Sequence, residues 1–339
     1  MSAFPGSLAA MEMLIHLAWL LLGLGLLSFG ADWLVRGASE LALKSGLKPL
    51  VIGLTVVAFG TSAPELIVSL KANLDPGTKV DIAVGNVLGS NICNIAMMLG
   101  LAALLCPFVV GSQVVKRELP ILLGVTGVFI AMIWDGSISR FEGIAMVVAI
   151  ILYVVTSIRI GERFEGDLAE PDIPEEALAG AGDHSLKSVL ASVGWVLLGL
   201  AGLLFGADRL VGSGVELARM FSVPEVVIGL TLVAIGTSLP ELATTIAAAR
   251  KKQMDLIAGN IIGSNIFNIL AVMGISAAVK PIAAGSVSII DLSVMGGVTL
   301  LLVPFLAWGR RLNRWEGGFL MAGYLAYCLW LVKPEWFGA

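Results

Sequence analysis

A hydroxyl pair, a proline and a carboxylate stand together twice in this chain, as Gly60-Thr61-Ser62-Ala63-Pro64-Glu65 and Gly236-Thr237-Ser238-Leu239-Pro240-Glu241. Each block lies in a stretch otherwise apolar enough to cross a bilayer. A proline inside a helix removes one backbone hydrogen bond and pushes away the carbonyl four residues earlier, here those of Gly60 and Gly236. Broken backbone at membrane depth persists only where it is buried or lines a water-filled cavity. A second pair of blocks reads Gly89-Ser90-Asn91-Ile92-Cys93-Asn94 and Gly263-Ser264-Asn265-Ile266-Phe267-Asn268. Residues four apart share a helix face, so Ser90 faces the same way as Asn94, Ser264 as Asn268, Thr61 as Glu65 and Thr237 as Glu241. Each half thus offers one hydroxyl–carboxylate face and one hydroxyl–amide face, and the pair can enclose a central cage.

All of these groups are hard oxygen donors. Calcium takes six to eight such oxygens and tolerates irregular geometry, and sodium uses the same donors with less charge. The two glutamates carry two negative charges, which one Ca²⁺ or two Na⁺ would neutralise. Cys93 is the one soft ligand in these blocks, which disfavours zinc or copper. A carboxylate at the centre of a membrane helix costs at least about 2.5 kcal/mol, so Glu65 and Glu241 read as ion ligands; a structural hydrogen bond or a proton relay is the alternative. For Gly85, Gly89, Gly259 and Gly263 helix packing is the better reading. Asp81 and Asp255 open helices and read as N-caps. Asp32 and Asp208 lie near expected membrane edges and read as caps or interfacial anchors, and Glu142 and Glu316 start their helices in the same way. His16 and His184 are single and unrelated by the repeat, and neither reads as catalytic. Cys93, Cys106 and Cys328 are too few for a disulfide framework.

These side chains need elements to hold them, and composition says what those are. The chain is 58% hydrophobic and 14% charged with a mean hydropathy of +0.95, whereas soluble domains carry roughly 25% charged residues. No basic patch for nucleic acid is present. Ten apolar segments recur, near 13–35, 47–71, 81–105, 119–134, 141–160, 188–211, 224–249, 255–279, 288–308 and 315–333, an all-α integral membrane protein. The first, though apolar and N-terminal, lacks a basic n-region and belongs to a repeat, so it reads as a span and not a cleaved signal. Residues 161–187 form an acidic Pro/Ala/Gly-rich linker between halves 13–160 and 188–333. Residues 53–72 match 229–248 at 12 of 20 positions, and 81–96 match 255–270 at 9 of 16. Five spans per half is odd, so the second half enters from the opposite side, giving an inverted-topology repeat with discontinuous second and seventh helices and a site near the midplane. Fourteen of the 21 Lys and Arg fall on the linker's side. That bias predicts a cytoplasmic linker, both termini outside and a multi-pass location in the cell's inner (plasma) membrane.

At the paired blocks GTSAPE…GNVLGSNICNI and GTSLPE…GNIIGSNIFNI the chain resembles the sodium/calcium exchanger family, of prokaryotic minimal type, within the calcium/cation antiporters. The resemblance implies alternating access with Ca²⁺ exchanged for Na⁺, no cofactor, lipid as the surrounding partner and a functional monomer. It places ion ligands on Thr61, Ser62, Glu65, Ser90 and Asn94, and on Thr237, Ser238, Glu241, Ser264 and Asn268. The carbonyls of Ala58 and Ala234 would serve flanking sodium sites. Family members often carry Asp where this chain has Asn268, so its cage has one titratable group fewer. An exchange driven by H⁺, K⁺ or Li⁺ keeps the same fold. A cation channel would use the same oxygens but needs a continuous path with weak sites. No nucleophile–base pair or histidine cluster supports an enzyme.

Overall fold

The structure, a computed structural model, describes residues 5–74, 81–161, 185–221, 236–284, 287–307 and 310–331. Its first half holds α1 (Pro5–Ser45), α2 (Pro49–Thr61) and α3 (Ala63–Leu74). Helix α4 starts as Asp81–Ile92 and runs through a π-helical Cys93–Leu99 to Leu105. Helix α5 (Leu119–Met132) is entered through a π-helical Val114–Glu118, and α6 is Arg140–Gly161. The second half holds α7 (Leu186–Met220) and α8 (Leu239–Arg250). Helix α9 starts as Met254–Phe267 and runs through a π-helical Asn268–Met273 to Val279. Helices α10 (Ile289–Ala307) and α11 (Arg314–Leu331) complete it. By length and hydropathy, seven of the described helices can cross a membrane, or eight when α2 and α3 count as one bent span. The expected seventh segment is described only from residue 236 onward, and the linker at 162–184 lies outside the described residues.

Burial sorts the helices. In α4 and α9, 78% and 89% of the apolar window is buried within the protein, against 17–33% for α1, α5, α6, α7 and α10. The outer helices instead expose Leu14, Leu21, Phe141, Leu152, Leu197 and Leu300. Such apolar exteriors are stable only in lipid. The two helices that carry the Ser-Asn-x-x-Asn blocks are therefore the centre of the molecule.

Helices α1 and α7, equivalent in the repeat, run antiparallel along a seam of glycines. A side chain at Gly23 would meet Gly206 and Leu210, one at Gly30 would meet Gly199 and Leu203, and one at Gly37 would meet Val196. At Gly199 an added Cβ would lie 2.5 Å from the Leu34 nitrogen, so only glycine permits this approach. The other contacts between halves also come in repeat-related pairs. Gly100 of α4 abuts Gly317 of α11, and Gly274 of α9 abuts Gly143 of α6. Strand β1 (Phe108–Val109) pairs antiparallel with β4 (Arg311–Leu312), and β2 (Ser137–Ile138) with β3 (Ile282–Ala283).

Several charged residues sit differently from the sequence expectation. Both α1 and α7 run on past the expected ends at 35 and 211, to Ser45 and Met220. The added turns of α1 stay helical because their charges are paired internally: Glu40 accepts from Arg36 at 2.9 Å, Lys44 at 3.2 Å and Ser192 at 2.9 Å. Asp32 and Asp208 consequently lie inside helices and are not caps; Asp32 pairs with Lys251 and Asp208 with Arg209, each at 3.2 Å. Asp255 is not an N-cap either, because α9 begins at Met254 with Gln253 in the capping position. Glu142 and Glu316 do mark helix starts. Each closes a reciprocal capping box, with Ser139 and Asn313 respectively.

Candidate functional site

The long apolar span through α2 and α3 breaks at Ser62, where the two parts meet at 43°. Ser62 has φ −81° and ψ 5°, and Ser238 ahead of α8 has φ −92° and ψ 7°. The two repeats therefore break at the same residue with the same backbone, in the sparsely populated region where functional residues often sit. The prolines work differently from the expected mid-helix kink. Pro64 and Pro240 are the second residues of α3 and α8, where a missing N–H costs nothing. Across the break the Ser62 N–H donates to the Ala58 carbonyl at 3.0 Å.

This break puts Glu65 and Glu241 in the first turns of α3 and α8, both essentially fully buried at 0% and 1% exposure. They are close enough for their charges to interact. Glu65 Oε1 accepts from Ser90 at 3.3 Å. The other three carboxylate oxygens, Glu65 Oε2 and both of Glu241, have no geometric hydrogen-bond partner among the described residues. Burying an ion without compensation costs far more than burying a neutral polar group. Two buried carboxylates whose charges interact are chemically able to attract a cation.

Further candidate residues converge on the same region. Thr61 crosses between the halves, donating to Asn260 Oδ1 at 3.2 Å with the Ser264 hydroxyl 3.4 Å away. Its hydroxyl also lies 3.5 Å from the Ala58 carbonyl. Ser62 Oγ, Asn268 Oδ1 and both polar atoms of the Asn94 amide are buried without partners among the described residues. Ser238 and Ser264 are buried, while Thr237 is half-buried in the turn before α8. Ala234 lies outside the described residues. Asn94 and Asn268 stand at equivalent places in the π-helical parts of α4 and α9. Such widened turns occur often at functional sites. Gly259 and Gly263 pack as expected, against Leu50 and Leu54 of α2, and bring α9 to the break.

Sequence reasoning missed three asparagines that hold the site. Asn86 donates to the Glu65 carbonyl at 3.2 Å and to Ser69 at 3.0 Å. Asn260 accepts from the Thr61 hydroxyl at 3.2 Å, and Asn91 accepts from the Asn268 amide at 3.1 Å. The signal was available: Gly-Asn at 85–86 and 259–260, and Ser-Asn at 90–91 and 264–265, recur in both halves. The four-residue spacing rule selects one helix face and passes over them. Cys93 is buried beside Ser238 and Glu241, at the position that Phe267 occupies in the second half.

The sodium/calcium exchanger protein family matches residues 15–159 and 191–333. The inner membrane protein YrbG of Escherichia coli is 40% identical over 331 residues, covering 96% of this chain and 98% of that protein. The sodium/calcium exchanger MaX1 of Methanosarcina acetivorans is 34% identical over 337 residues, covering 91% and 96%. A solved structure of the sodium-calcium exchanger NCX_Mj, soaked with zero Na⁺ and Ca²⁺, superposes with a TM-score of 0.80 at 31% identity, covering 94% of this chain and 99% of that one. With the family matched along both halves and relatives aligned nearly end to end, this multi-pass membrane protein belongs to the sodium/calcium exchanger family, whose members are ion transporters and not enzymes.

Proposed function

We propose that the protein is a secondary antiporter that exchanges Ca²⁺ for Na⁺ by alternating access at one central site. The observation that carries this reading is the pair of fully buried glutamates, one from each repeat, with three of four carboxylate oxygens unpartnered among the described residues. Glu65 and Glu241 bridge calcium. The hydroxyls of Thr61, Ser62, Ser90, Thr237, Ser238 and Ser264 and the amides of Asn94 and Asn268 complete the cage. The carbonyls of Ala58 and Ala234 serve flanking sodium positions.

Ten spans in two inverted repeats, 13–160 and 188–333, form the architecture of this reading. The antiparallel run of equivalent helices α1 and α7 supports it. So does the loop pairing: β1 and β3 are repeat equivalents, yet each pairs with the strand from the other position. Two halves of the same orientation would bring like loops together. The linker is cytoplasmic, both termini are outside, the membrane is the inner (plasma) membrane and the monomer is the working unit. Protease added outside right-side-out vesicles leaves the linker uncut in this topology, and cleavage there would reverse it.

The test is calcium uptake into sodium-loaded proteoliposomes, with Na⁺, K⁺, Li⁺ or choline outside and with a proton gradient imposed separately. Uptake should require an outward sodium gradient. Glu65→Gln and Glu241→Gln should each cut it by about 100-fold or more, since a buried ion loses a charged partner worth about 3 kcal/mol. Uptake that follows protons or potassium instead replaces the driving ion, and flux that needs no counter-ion makes the protein a channel.

A further inference from the structure

The repeats supply one amide each to the central region, yet the structure holds those amides differently. Asn268 Nδ2 of α9 donates to Asn91 Oδ1 of α4 at 3.1 Å. Asn91 Nδ2 in turn donates to the backbone carbonyl of Asn265 at 3.4 Å. All three residues are at most 1% exposed. A backbone carbonyl accepts and never donates, so it fixes which way the Asn91 amide faces. The nitrogen of Asn91 must face that carbonyl, and its oxygen is then presented to residue 268. Residue 268 must answer with a donor, and only an amide in this orientation does so. Its oxygen, Asn268 Oδ1, is thereby turned away from Asn91 and has no partner among the described residues.

Among the described residues nothing equivalent restrains the first half. The repeat counterpart of Asn91 is Asn265, whose Nδ2 bonds the Ile261 carbonyl of its own helix at 2.7 Å. The counterpart of Asn268 is Asn94, and neither polar atom of its amide has a partner among the described residues. One amide is therefore pinned from across the repeat interface, while no described hydrogen bond orients the other.

We propose that Asn91 is a positioning residue that fixes the Asn268 carboxamide with its oxygen toward the transported ions, making the two amides of the cage unequal. This rests on the reading of the central region as the ion site. Asn91 touches no ion itself; it acts through Asn268. The pinned oxygen is ready for a cation without a rotamer search, and preorganised groups bind more tightly because less ordering is required on binding. A site built from a duplicated sequence thereby gains one fixed and one adjustable amide position, as sites for ions of different charge need.

The test is a double-mutant cycle in proteoliposomes, using Asn91→Leu, Asn268→Ala and the two combined. The repeat-related Asn265→Leu serves as a packing control, since among the described residues its side chain bonds only the Ile261 carbonyl of its own helix. Asn91→Leu should raise the sodium concentration for half-maximal calcium exchange about fivefold to tenfold, the worth of one buried hydrogen bond. Its maximal rate should stay within about twofold, as expected when only binding is weakened. In the Asn268→Ala background Asn91→Leu should add nothing further. The shift of unfolding temperature on adding Na⁺ or Ca²⁺ in detergent gives the same comparison where flux is too small to measure. An Asn91→Leu effect that persists undiminished without Asn268, or that Asn265→Leu reproduces, overturns the proposal and makes Asn91 a packing residue. Wild-type protein with no sodium-driven calcium flux would overturn the exchanger reading instead, which the binding cycle does not depend on.

Discussion

Glu65 and Glu241 bring formal charge into the most thoroughly buried part of the molecule, and no ion pair to a basic side chain is found for either among the described residues. Elsewhere the chain pairs its buried acids carefully. Glu118, also fully buried, accepts from Arg117 at 2.8 Å, Gln113 at 3.1 Å and Tyr153 at 3.0 Å. Glu65 and Glu241 lack such a set of donors among the described residues, and that contrast sets them apart from Glu118 more sharply than burial does. Asn268 extends the argument, since it donates to Asn91 with its nitrogen. In Asn268→Asp the ionised carboxylate has no proton to donate, so only its protonated form keeps that bond. Calcium exchange by this variant should gain an inflection in its pH profile that wild type lacks, with ions and protons competing for the added carboxylate. Superimposable profiles for the two proteins would show that residue 268 does not meet the ions. The carboxylates and hydroxyls were legible in the sequence because an acid in an apolar span is costly unless a cation or a proton meets it. Asn86, Asn91 and Asn260 were not, because a residue that supports a ligand differs from one that packs only in its partners.

At the scale of elements, the break at Ser62 and Ser238 does what sequence attributed to the prolines. Pro64 and Pro240 restart a helix, and the interruption lies two residues earlier. The placement of helices was legible from apolar runs, but the ends of α1 and α7 were not. A hydropathy count stops at charged residues, and Glu40, Arg36 and Lys44 satisfy one another on a helix that continues. The α1–α7 seam has a measurable cost attached. In Gly199→Val the new side chain would be driven into the Leu34 backbone, where an added Cβ already lies 2.5 Å away, and backbone cannot yield as a side-chain tip can. Overpacking of this kind costs about 1–3 kcal/mol or more, so the unfolding temperature in detergent should fall by several degrees. Gly25, with no neighbour within 4 Å of an added Cβ, is the matched control, and Gly25→Val should be nearly silent. Equal losses at both positions would mean that the seam is not a tight contact.

At the scale of the whole molecule, inner and outer helices divide the labour. Helices α4 and α9, which the protein encloses, carry the amides and Ser90 and Ser264, while the outer helices meet lipid. Hydropathy alone gives no hint of this, because α4 and α9 are no more apolar than the rest, at 1.8 and 1.7 against 1.6–2.3. The polar residues within them carried the information. Family membership was legible too, through blocks that recur twice with their chemistry intact.

The crossed pairing of β1 with β4 and of β2 with β3 bears on how such a protein holds together when cut. Each ladder staples a loop of one half to a loop of the other, and the glycine contacts of α1 with α7, α4 with α11 and α9 with α6 do the same. Almost every adhesive surface described above therefore joins the halves, and each half alone would leave its own unpaired. Two polypeptides separated within residues 162–184 and made in the same cell should find each other, co-purify as a one-to-one complex and recover calcium exchange. Each fragment made alone should be degraded or should pair with a second copy of itself. Covalent continuity between the halves would then serve to enforce equal numbers of each, and the noncovalent staples would be what makes them one machine.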